Sequence, residues 1–339
     1  MDTNAAQICL FSGHDYVVRQ IPKSGGGVRR ICMPSLDLKK EQKEIRRLLL
    51  TLYKFFYWGW DYGVPIFGIL PGRSYVDHAR HHSRRRWIFQ FDIQDAFPSV
   101  TLSLLRSSLG AFLEETVERV RGEVRDFLAE TPVEEFRTRP PKGSARFLLR
   151  LSDVFKNREI GEIREWIIRF ATWEGTLPQG APTSPFLFYL CLKDVLKELK
   201  IMAREAYYQD GGSGFSISCY VDGFVISADR PIPPALKQGA FEVLERNGFK
   251  INRRKIREAD CRQGAVRITG LTVNGSGKIG LSRKLVREWR GILHRAAMSQ
   301  DPKLLKRARG LIASLKPIFD EGLPSQLRQS CALLNLPGT

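Results

Sequence analysis

The chain has 339 residues, enough to bury a sizeable core in one large domain or in two to three small ones. Its 54 lysines and arginines outnumber 36 aspartates and glutamates, and the resulting net charge of +18 favours a polyanionic partner such as RNA or DNA. Because no run of about eighteen apolar residues and no signal-peptide core is present, we expect a cytoplasmic protein without a membrane partner.

The cysteines and histidines are the first candidates for metal ligands. The six cysteines are scattered without CxxC spacing, so neither a zinc site nor a disulfide framework is predicted. Three of the five histidines crowd at His78, His81 and His82, a spacing that places ligands on one helical turn. Since no cysteine or carboxylate cluster accompanies them, we favour a core or groove role over zinc.

The first predicted elements are a hairpin, a helix and a short strand. Residues 16–34 contain two apolar stretches around a Pro/Gly-rich turn, which predicts a basic β-hairpin. Apolar residues between positions 38 and 60 recur at helical spacing. Residues 87–93 read as a short strand in which Asp92 projects to the side opposite the neighbouring aromatic residues.

The second half begins with a charged segment. Residues 112–170 are helically periodic around a break at 138–144, which predicts two helical stretches and is interpreted as an insertion. Residues 182–199 open a strongly apolar helix, and residues 215–228 predict a hairpin centred on Asp222-Gly223. The last sixty residues are basic and helically periodic, as expected of a small separate domain.

Three motifs carry the chemistry: FDIQDAF at 91–97, LPQGAPTSP at 177–185 and YVDG at 220–223. Taken alone, an aspartate at a strand end is usually a cap, and Asp-Gly is a strong hairpin-turn signal. The proline-rich motif at 177–185 is harder to explain by packing alone than the two aspartate motifs are. Together, Asp92 and Asp222 are two distant carboxylates of the kind that in-line phosphoryl transfer with two metal ions requires.

These motifs, in this order, resemble those of bacterial reverse transcriptases of the retron and group II intron-like class, over roughly residues 16–295. The resemblance implies an α+β right-hand polymerase fold with an RRM-like antiparallel palm sheet. Fingers are expected at 1–86, a palm at 87–280 that includes a helical insertion at about 112–170, and a helical thumb at 281–339.

The resemblance also implies roles for individual residues. Asp92 and Asp222 are expected to bind metal and to be catalytic, and Lys255 to protonate the leaving pyrophosphate. Phe97 matches the steric gate that selects dNTPs over rNTPs. The full set expected at the dNTP is Lys23, Arg29, Asp95, Ala96, Phe97, Gln179 and Gly180. The set expected at nucleic acid is Arg73, Arg283, Lys284, Arg287 and Arg290.

The implied function is RNA-directed DNA synthesis with Mg²⁺, or Mn²⁺ in its place. The expected partners are dNTPs, an RNA template, a DNA product and a dedicated non-coding RNA in a retron-like or anti-phage defence system. A protein partner or an oligomer is left open.

Two departures from the family pattern bear on this interpretation. Gly223 stands where the family has a second aspartate, which predicts weaker metal binding, and His78 stands where asparagine is usual. The alternative hypothesis is a catalytically weakened or inactive palm that serves as an RNA-binding scaffold or as a partner subunit of another polymerase. An RNA-dependent RNA polymerase is a further alternative, which Phe97 disfavours.

Overall fold

The computed structural model of the protein describes residues 7–11, 14–22, 27–57, 63–130, 159–209, 211, 214–274, 276–299, 301–315, 318, 325–332 and 334. Lys23 and the predicted break at 138–144 lie outside these residues. The chain forms two compact units, neither of them a continuous segment. The first unit comprises Met1–Val64, Ile93–Lys200 and Phe241–Ile251, and the second comprises Pro65–Asp92, Ile201–Ala240 and Asn252–Thr339. The division into fingers, palm and thumb stays a prediction.

The strands of the described residues are β1 (Gln7–Phe11), β2 (His14–Pro22), β3 (Val28–Pro34), β4 (Ile66–Phe67), β5 (Trp87–Asp92), β6 (Phe215–Tyr220), β7 (Gly223–Ala228), β8 (Arg257–Asp260), β9 (Val266–Ile268), β10 (Leu271–Val273) and β11 (Ile279–Gly280). The helices are α1 (Leu36–Tyr57), α2 (Tyr75–His82), α3 (Leu102–Glu130), α4 (Ile160–Ala171), α5 (Ser184–Cys191), α6 (Lys193–Gln209), α7 (Pro234–Arg246), α8 (Arg283–Ser299), α9 (Pro302–Leu315) and α10 (Ser325–Ala332). The strand pairs are antiparallel except β4 with β6, and this mixture of helices with largely antiparallel sheets confirms the α+β class.

The first unit is organised around the predicted N-terminal hairpin, which is part of the sheet β1-β2-β3. Tyr16 of β2 is fully buried, and its hydroxyl accepts a hydrogen bond of 2.7 Å from Gln42 Nε2 of α1. The same Gln42 nitrogen donates to the carbonyl oxygen of Phe170 at 2.8 Å. The amide nitrogen of Gln42 therefore joins the sheet to α1 and α4, and it gives the buried Tyr16 hydroxyl a hydrogen-bond partner, which buried polar groups need.

The segment interpreted as an insertion is helical where it is described. α3 and α4 pack against each other, and Arg106 Nη2 of α3 lies 3.1 Å from Glu165 Oε2 of α4. Two helical stretches on either side of the predicted break are therefore present. Their role as an insertion is untested.

A backbone contact joins β3 to the proline-rich motif. The N–H of Cys32 donates to the carbonyl oxygen of Gln179 at 2.8 Å. The next residue, Gly180, has φ +119°, and a Cβ built on it would lie 2.7 Å from the carbonyl oxygen of Cys32. Glycine is needed here for both conformation and close approach.

The second unit contains a five-stranded sheet of order β4-β6-β7-β5-β8. Phe91 of β5 is fully buried and stacks on Phe224 of β7, with ring centroids 5.3 Å apart. Because side chains alternate along a strand, Gln90 and Asp92 project from the opposite face. The orientation predicted for Asp92 is therefore confirmed.

Helix α2 is attached to that second face by its histidines. Buried His82 bonds with both ring nitrogens, Nδ1 to Ser227 Oγ at 2.7 Å and Nε2 to Ser218 Oγ at 2.6 Å. His81 Nε2 lies 2.6 Å from Ser216 Oγ, and the ring of His78 stacks on Tyr220. Within the described residues no group of three or more potential metal-ligating side chains occurs. His78 and His82 are buried, whereas His81 is exposed, so two of the three histidines lie in the core.

The helices after β11 complete an apolar core on the second unit. This core includes Val76 and Ala79 of α2, the strands β9 and β10, and Leu293 and Ala296 of α8. The C-terminal region is helical where it is described, as predicted. Among the described helices, none is long and apolar enough to cross a membrane.

The two buried histidines predict acid lability. Burial lowers the pKa of His78 to about 3 and the pKa of His82 well below its usual range. An unfolded histidine binds a proton near pH 6.5, whereas the folded ones stay neutral, so stability falls as the pH drops below about 6.5. We expect each histidine to lower the free energy of unfolding by about 2 kcal/mol between pH 7 and pH 5. Urea titrations at a series of pH values measure this, and His78→Phe should make the decline shallower. A free energy of unfolding that does not change between pH 7 and pH 5 would contradict the lowered pKa values of the two histidines.

The close approach at Gly180 predicts a second stability effect. Gly180→Ala should lower the free energy of unfolding by at least about 2 kcal/mol, because it adds both backbone strain and a clash with the Cys32 carbonyl. Gly264→Ala is the matched control, since its added methyl group meets no atom within 4 Å. Chemical denaturation of both variants tests this, and equal midpoints would refute the packing argument.

Candidate active site

Asp92 and Asp222 of the second unit are brought to one place by strand pairing. Asp92 is the last residue of β5 and lies opposite Gly223 of β7, whose other neighbour is Tyr220 of β6. Asp222 is in the two-residue loop between β6 and β7. Both acids line an open cavity of about 180 Å³. Its walls are His78, Gln90, Asp92, Tyr220, Asp222, Gly223, Phe224, Val225 and Thr269.

The turn that carries Asp222 differs from the predicted one. The sequence favours a loop of Asp222-Gly223, but Gly223 is already paired in β7 and the loop is Val221-Asp222. Val221 has φ +57°, a strained conformation for a β-branched residue that costs about 1–3 kcal/mol. Its N–H donates to the carbonyl oxygen of Phe67 at 3.2 Å, and its carbonyl oxygen accepts from the Cys219 thiol. These tertiary bonds override the local preference.

Gly223 is therefore not required by the turn conformation. A Cβ built on it would lie 3.0 Å from Asp92 Oδ1 and 3.7 Å from the carbonyl oxygen of Tyr220. A side chain at this position would contact the Asp92 carboxylate directly. The absence of a side chain removes one possible metal ligand and leaves Asp92 Oδ1 uncrowded.

Lys255 is the third predicted catalytic residue in the same unit. It ends a 3₁₀ turn, Arg253–Lys255, and its Nζ donates to Asp92 Oδ2 at 2.5 Å. The turn is anchored because the N–H of Asn252 donates to the carbonyl oxygen of Asp92 at 2.8 Å. The side chains of Lys255 and Asp92 are 51% and 28% exposed, so this ion pair contributes at most about 1 kcal/mol to stability. Its effect is to hold the ammonium group at the acid pair.

The buried thiol of Cys219, on β6, is uncharged. Burial raises the pKa of the Cys219 thiol well above its usual value, and the charges of Asp222 and Asp92 raise it further. The thiol therefore stays protonated and is a poor nucleophile. The groups available for chemistry at this cavity are therefore the carboxylates of Asp92 and Asp222, not the Cys219 thiol.

The donor set suits a hard divalent cation. Mg²⁺ is commonly held by one or two carboxylates together with phosphate oxygens of the substrate. Asp92 and Asp222 supply that number of carboxylates, and no third acid joins them in a metal-ligating group within the described ranges. The residues present thus fit a magnesium site that the substrate completes.

The residues predicted at the dNTP belong to the first unit, apart from Lys23, which is outside the described residues. Asp95 is exposed with φ +46°, Ala96 is buried, and the half-buried ring of Phe97 lies 5.3 Å from that of Phe188. Arg29 is exposed on β3, the strand that bonds to Gln179 next to Gly180. The structure thus joins two of the predicted segments, the hairpin and the proline-rich motif.

The predicted nucleic-acid residues are in the second unit. Arg73 is half-buried just before α2, and Arg283, Lys284, Arg287 and Arg290 are all exposed on α8. Arg283, Arg287 and Arg290 recur at spacings of four and three residues, so they lie along one face of that helix. This basic face is able to contact phosphates without reading bases.

Six residues that line the cavity were not predicted as site residues: His78, Gln90, Tyr220, Phe224, Val225 and Thr269. The position of Gln90 could have been predicted, because it lies two residues before Asp92 on β5 and so projects from the same face. Tyr220, Phe224 and Val225 are close neighbours of the Asp222 loop on β6 and β7. His78 and Thr269 reach the cavity through the packing of α2 and of the β9–β10 turn, which no local pattern predicts.

Comparison with known proteins identifies the family. The family model described as "Reverse transcriptase (RNA-dependent DNA polymerase)" matches residues 21–273, well over half of the chain. Two curated relatives from Myxococcus xanthus, the retron Mx65 and retron Mx162 reverse transcriptases, are each 28% identical to it. The matches cover 90% and 88% of this chain but 62% and 56% of the relatives, so the chain spans well under the full length of either.

The chain also resembles solved structures of telomerases at low sequence identity. Telomerase from Candida albicans, in complex with a fragment of telomeric RNA, matches with a TM-score of 0.46 and 14% identity, over 93% of this chain and 56% of that one. Apo telomerase from Candida tropicalis matches with a TM-score of 0.48 and 13% identity, over 94% and 58%. The sequence match over residues 21–273 shows the family and also supports the predicted right-hand polymerase fold. The chain belongs to the reverse transcriptase (RNA-dependent DNA polymerase) family.

Proposed function

We propose that the protein is an RNA-directed DNA polymerase that extends a 3′ hydroxyl with dNTPs. The observation that carries this proposal is the pairing of β5 with β7, which sets Asp92 beside the Asp222 loop while Lys255 is bonded to Asp92. Two carboxylates that line one cavity, with an ammonium group bonded to one of them, match the charges of phosphoryl transfer.

The proposed reaction joins the primer 3′ oxygen to the α-phosphorus of the dNTP and breaks the bond to pyrophosphate. Asp92 and Asp222 would hold Mg²⁺, or Mn²⁺ in its place. When bound, two such ions neutralise the developing phosphate charge and favour the attacking oxyanion. Lys255 donates a proton to the leaving pyrophosphate, which lowers the basicity that the leaving group must bear.

The remaining roles stay proposals of the same reaction. Phe97 is proposed to exclude the ribose 2′-hydroxyl of an incoming nucleotide. Arg29 and Lys23 are proposed to bind the triphosphate, since cationic donors stabilise its charge. Asp95, Ala96, Gln179 and Gly180 complete the proposed dNTP site, and the contact between β3 and Gln179 supports grouping Arg29 with them.

The template and product are proposed to be RNA and DNA, with their backbones held partly by the basic face of α8. Arg73 is proposed to add a further phosphate contact. The net charge of +18 supports a nucleic-acid partner. These contacts fix position rather than sequence.

We extend the proposal to a retron-like system with a dedicated non-coding RNA. Similarity to two retron reverse transcriptases along most of this chain supports it. A role in anti-phage defence remains a prediction from the sequence. Sequencing the RNA that co-purifies with the protein tests this extension, and a random mixture of cellular RNAs would contradict it.

The acid pair generates the first prediction on activity. Asp92→Asn and Asp222→Asn should each lower dNTP incorporation at least about 10³-fold, because each removes a charged metal ligand of the reaction. Primer extension on an RNA template with Mg²⁺ and with Mn²⁺ measures this. Asp194→Asn, at an exposed position on α6, is the matched control and should keep full activity.

The scaffold hypothesis predicts a different result. Under that hypothesis the wild-type protein retains RNA but incorporates no dNTP with either ion. That result would overturn the proposed polymerase activity.

Lys255 generates the second prediction on activity. Lys255→Met should lower kcat by about 10²–10⁴-fold, as expected when a general acid is removed, while the free energy of unfolding changes by less than about 1 kcal/mol. Single-turnover incorporation and urea denaturation measure the two effects separately. Unchanged kcat would show that the ion pair with Asp92 has no part in the reaction.

A further inference from the structure

A recess extends along the sheet face directly below the acid pair. Gln90 precedes Asp92 by two residues on β5, so both side chains project from the same face, and Gln90 is paired with Val225 of β7. His78 of α2 and Thr269 of the β9–β10 turn form the walls. The cavity of about 180 Å³ is smaller than the roughly 300–1,000 Å³ of typical small-molecule pockets. It has the scale of one sugar rather than of a complete nucleotide.

Two polar side chains of this recess have no hydrogen-bond partner among the described residues. The side chain of His78 is 1% exposed, and neither Nδ1 nor Nε2 has a partner there. The amide of half-buried Gln90 makes no side-chain hydrogen bond within the same residues. Leaving buried groups such as the two His78 ring nitrogens unpaired is costly, and such groups are rare in folded proteins. The half-buried Gln90 amide lines the same cavity, so the two polar side chains together indicate a ligand.

The chemistry of these groups selects the class of ligand. Burial, and secondarily the charge of His81, lower the pKa of His78 to about 3, so the imidazole is neutral at physiological pH. A neutral imidazole presents one donor and one acceptor nitrogen, and the glutamine amide presents an NH₂ donor group and a carbonyl acceptor. Neither group compensates the charge of a phosphate. A sugar hydroxyl, which both donates and accepts, is the matching partner.

We propose that His78 and Gln90 hydrogen-bond the 2′-hydroxyl of the nucleotide at the primer 3′ end. The protein then extends a primer that ends in a ribonucleotide in preference to one that ends in a deoxyribonucleotide. This inference rests on the proposed function, because it takes the attacking 3′ oxygen to lie at Asp92 and Asp222. The sugar that bears this oxygen is then the group nearest to the recess.

The test compares two primers that differ only in their last sugar, ribose or deoxyribose, on one RNA template. The wild-type protein should show a higher kcat/KM for the ribose-ended primer. His78→Phe, which keeps a ring against Tyr220, and Gln90→Met, which keeps the side-chain length, should each reduce that ratio about fivefold. The KM for the dNTP should not change.

Two further variants separate recognition from folding. His78→Asn retains a donor and an acceptor and should keep part of the preference. His81 lies on the same helix, but it is exposed and does not line the cavity. His81→Asn should therefore leave the preference for the ribose-ended primer at the wild-type value. Equal losses on both primers in His78→Phe and Gln90→Met would overturn the inference, as would a wild-type protein without preference.

A binding measurement without dNTP distinguishes this inference from the proposed function. Fluorescence anisotropy with the same two primer–template duplexes should show tighter binding of the ribose-ended duplex and loss of the difference in both variants. If no dNTP is incorporated but this pattern holds, the polymerase proposal fails and recognition of the terminal ribose stands. If incorporation occurs without any difference between the duplexes in binding or in kcat/KM, the inference is wrong and the polymerase proposal stands.

Discussion

The antiparallel register between β5 and β7 is the constraint on which the site depends. It sets Asp92 opposite Gly223 and so beside the loop that carries Asp222. A slip of one residue would turn Asp92 to the face occupied by Phe91 and Phe224, where an unpaired carboxylate would be buried. The stacked aromatic residues on one face and the acids on the other therefore reinforce a single register.

The attachment of α2 to the sheet stabilises the same arrangement from the other side. Ser216, Ser218 and Tyr220 alternate along β6, so they present one row to His81, His82 and His78. Because His82 uses both ring nitrogens at full burial, its bonds fix the position of the helix along the strand. That position brings His78 to the wall of the cavity. The contacts that attach α2 to the sheet therefore also place His78 at the candidate site.

Two features reduce the negative charge available at the site. Gly223 removes one carboxylate, and Lys255 adds a cation bonded to Asp92. Both features lower the negative charge available to divalent ions, which is consistent with the expected weaker metal binding. In compensation, the uncrowded Asp92 Oδ1 is free of contact with a side chain at position 223. The proposed catalysis therefore depends strongly on phosphate oxygens of the substrate to complete the metal coordination.

Motif order and alternation in the sequence determined the family, the α+β class and the face from which Asp92 projects. These follow from local rules: side chains alternate along a strand, and apolar residues recur along a helix. Sequence reasoning failed at the loop Val221-Asp222, because a hydrogen bond to β4 and another from the Cys219 thiol hold a valine in a conformation that its own preference disfavours. It also could not assign His78, Gln90 and Thr269 to one cavity. Residues so distant along the chain meet only when helix, sheet and turn pack together, so only the tertiary structure determines which residues line the cavity.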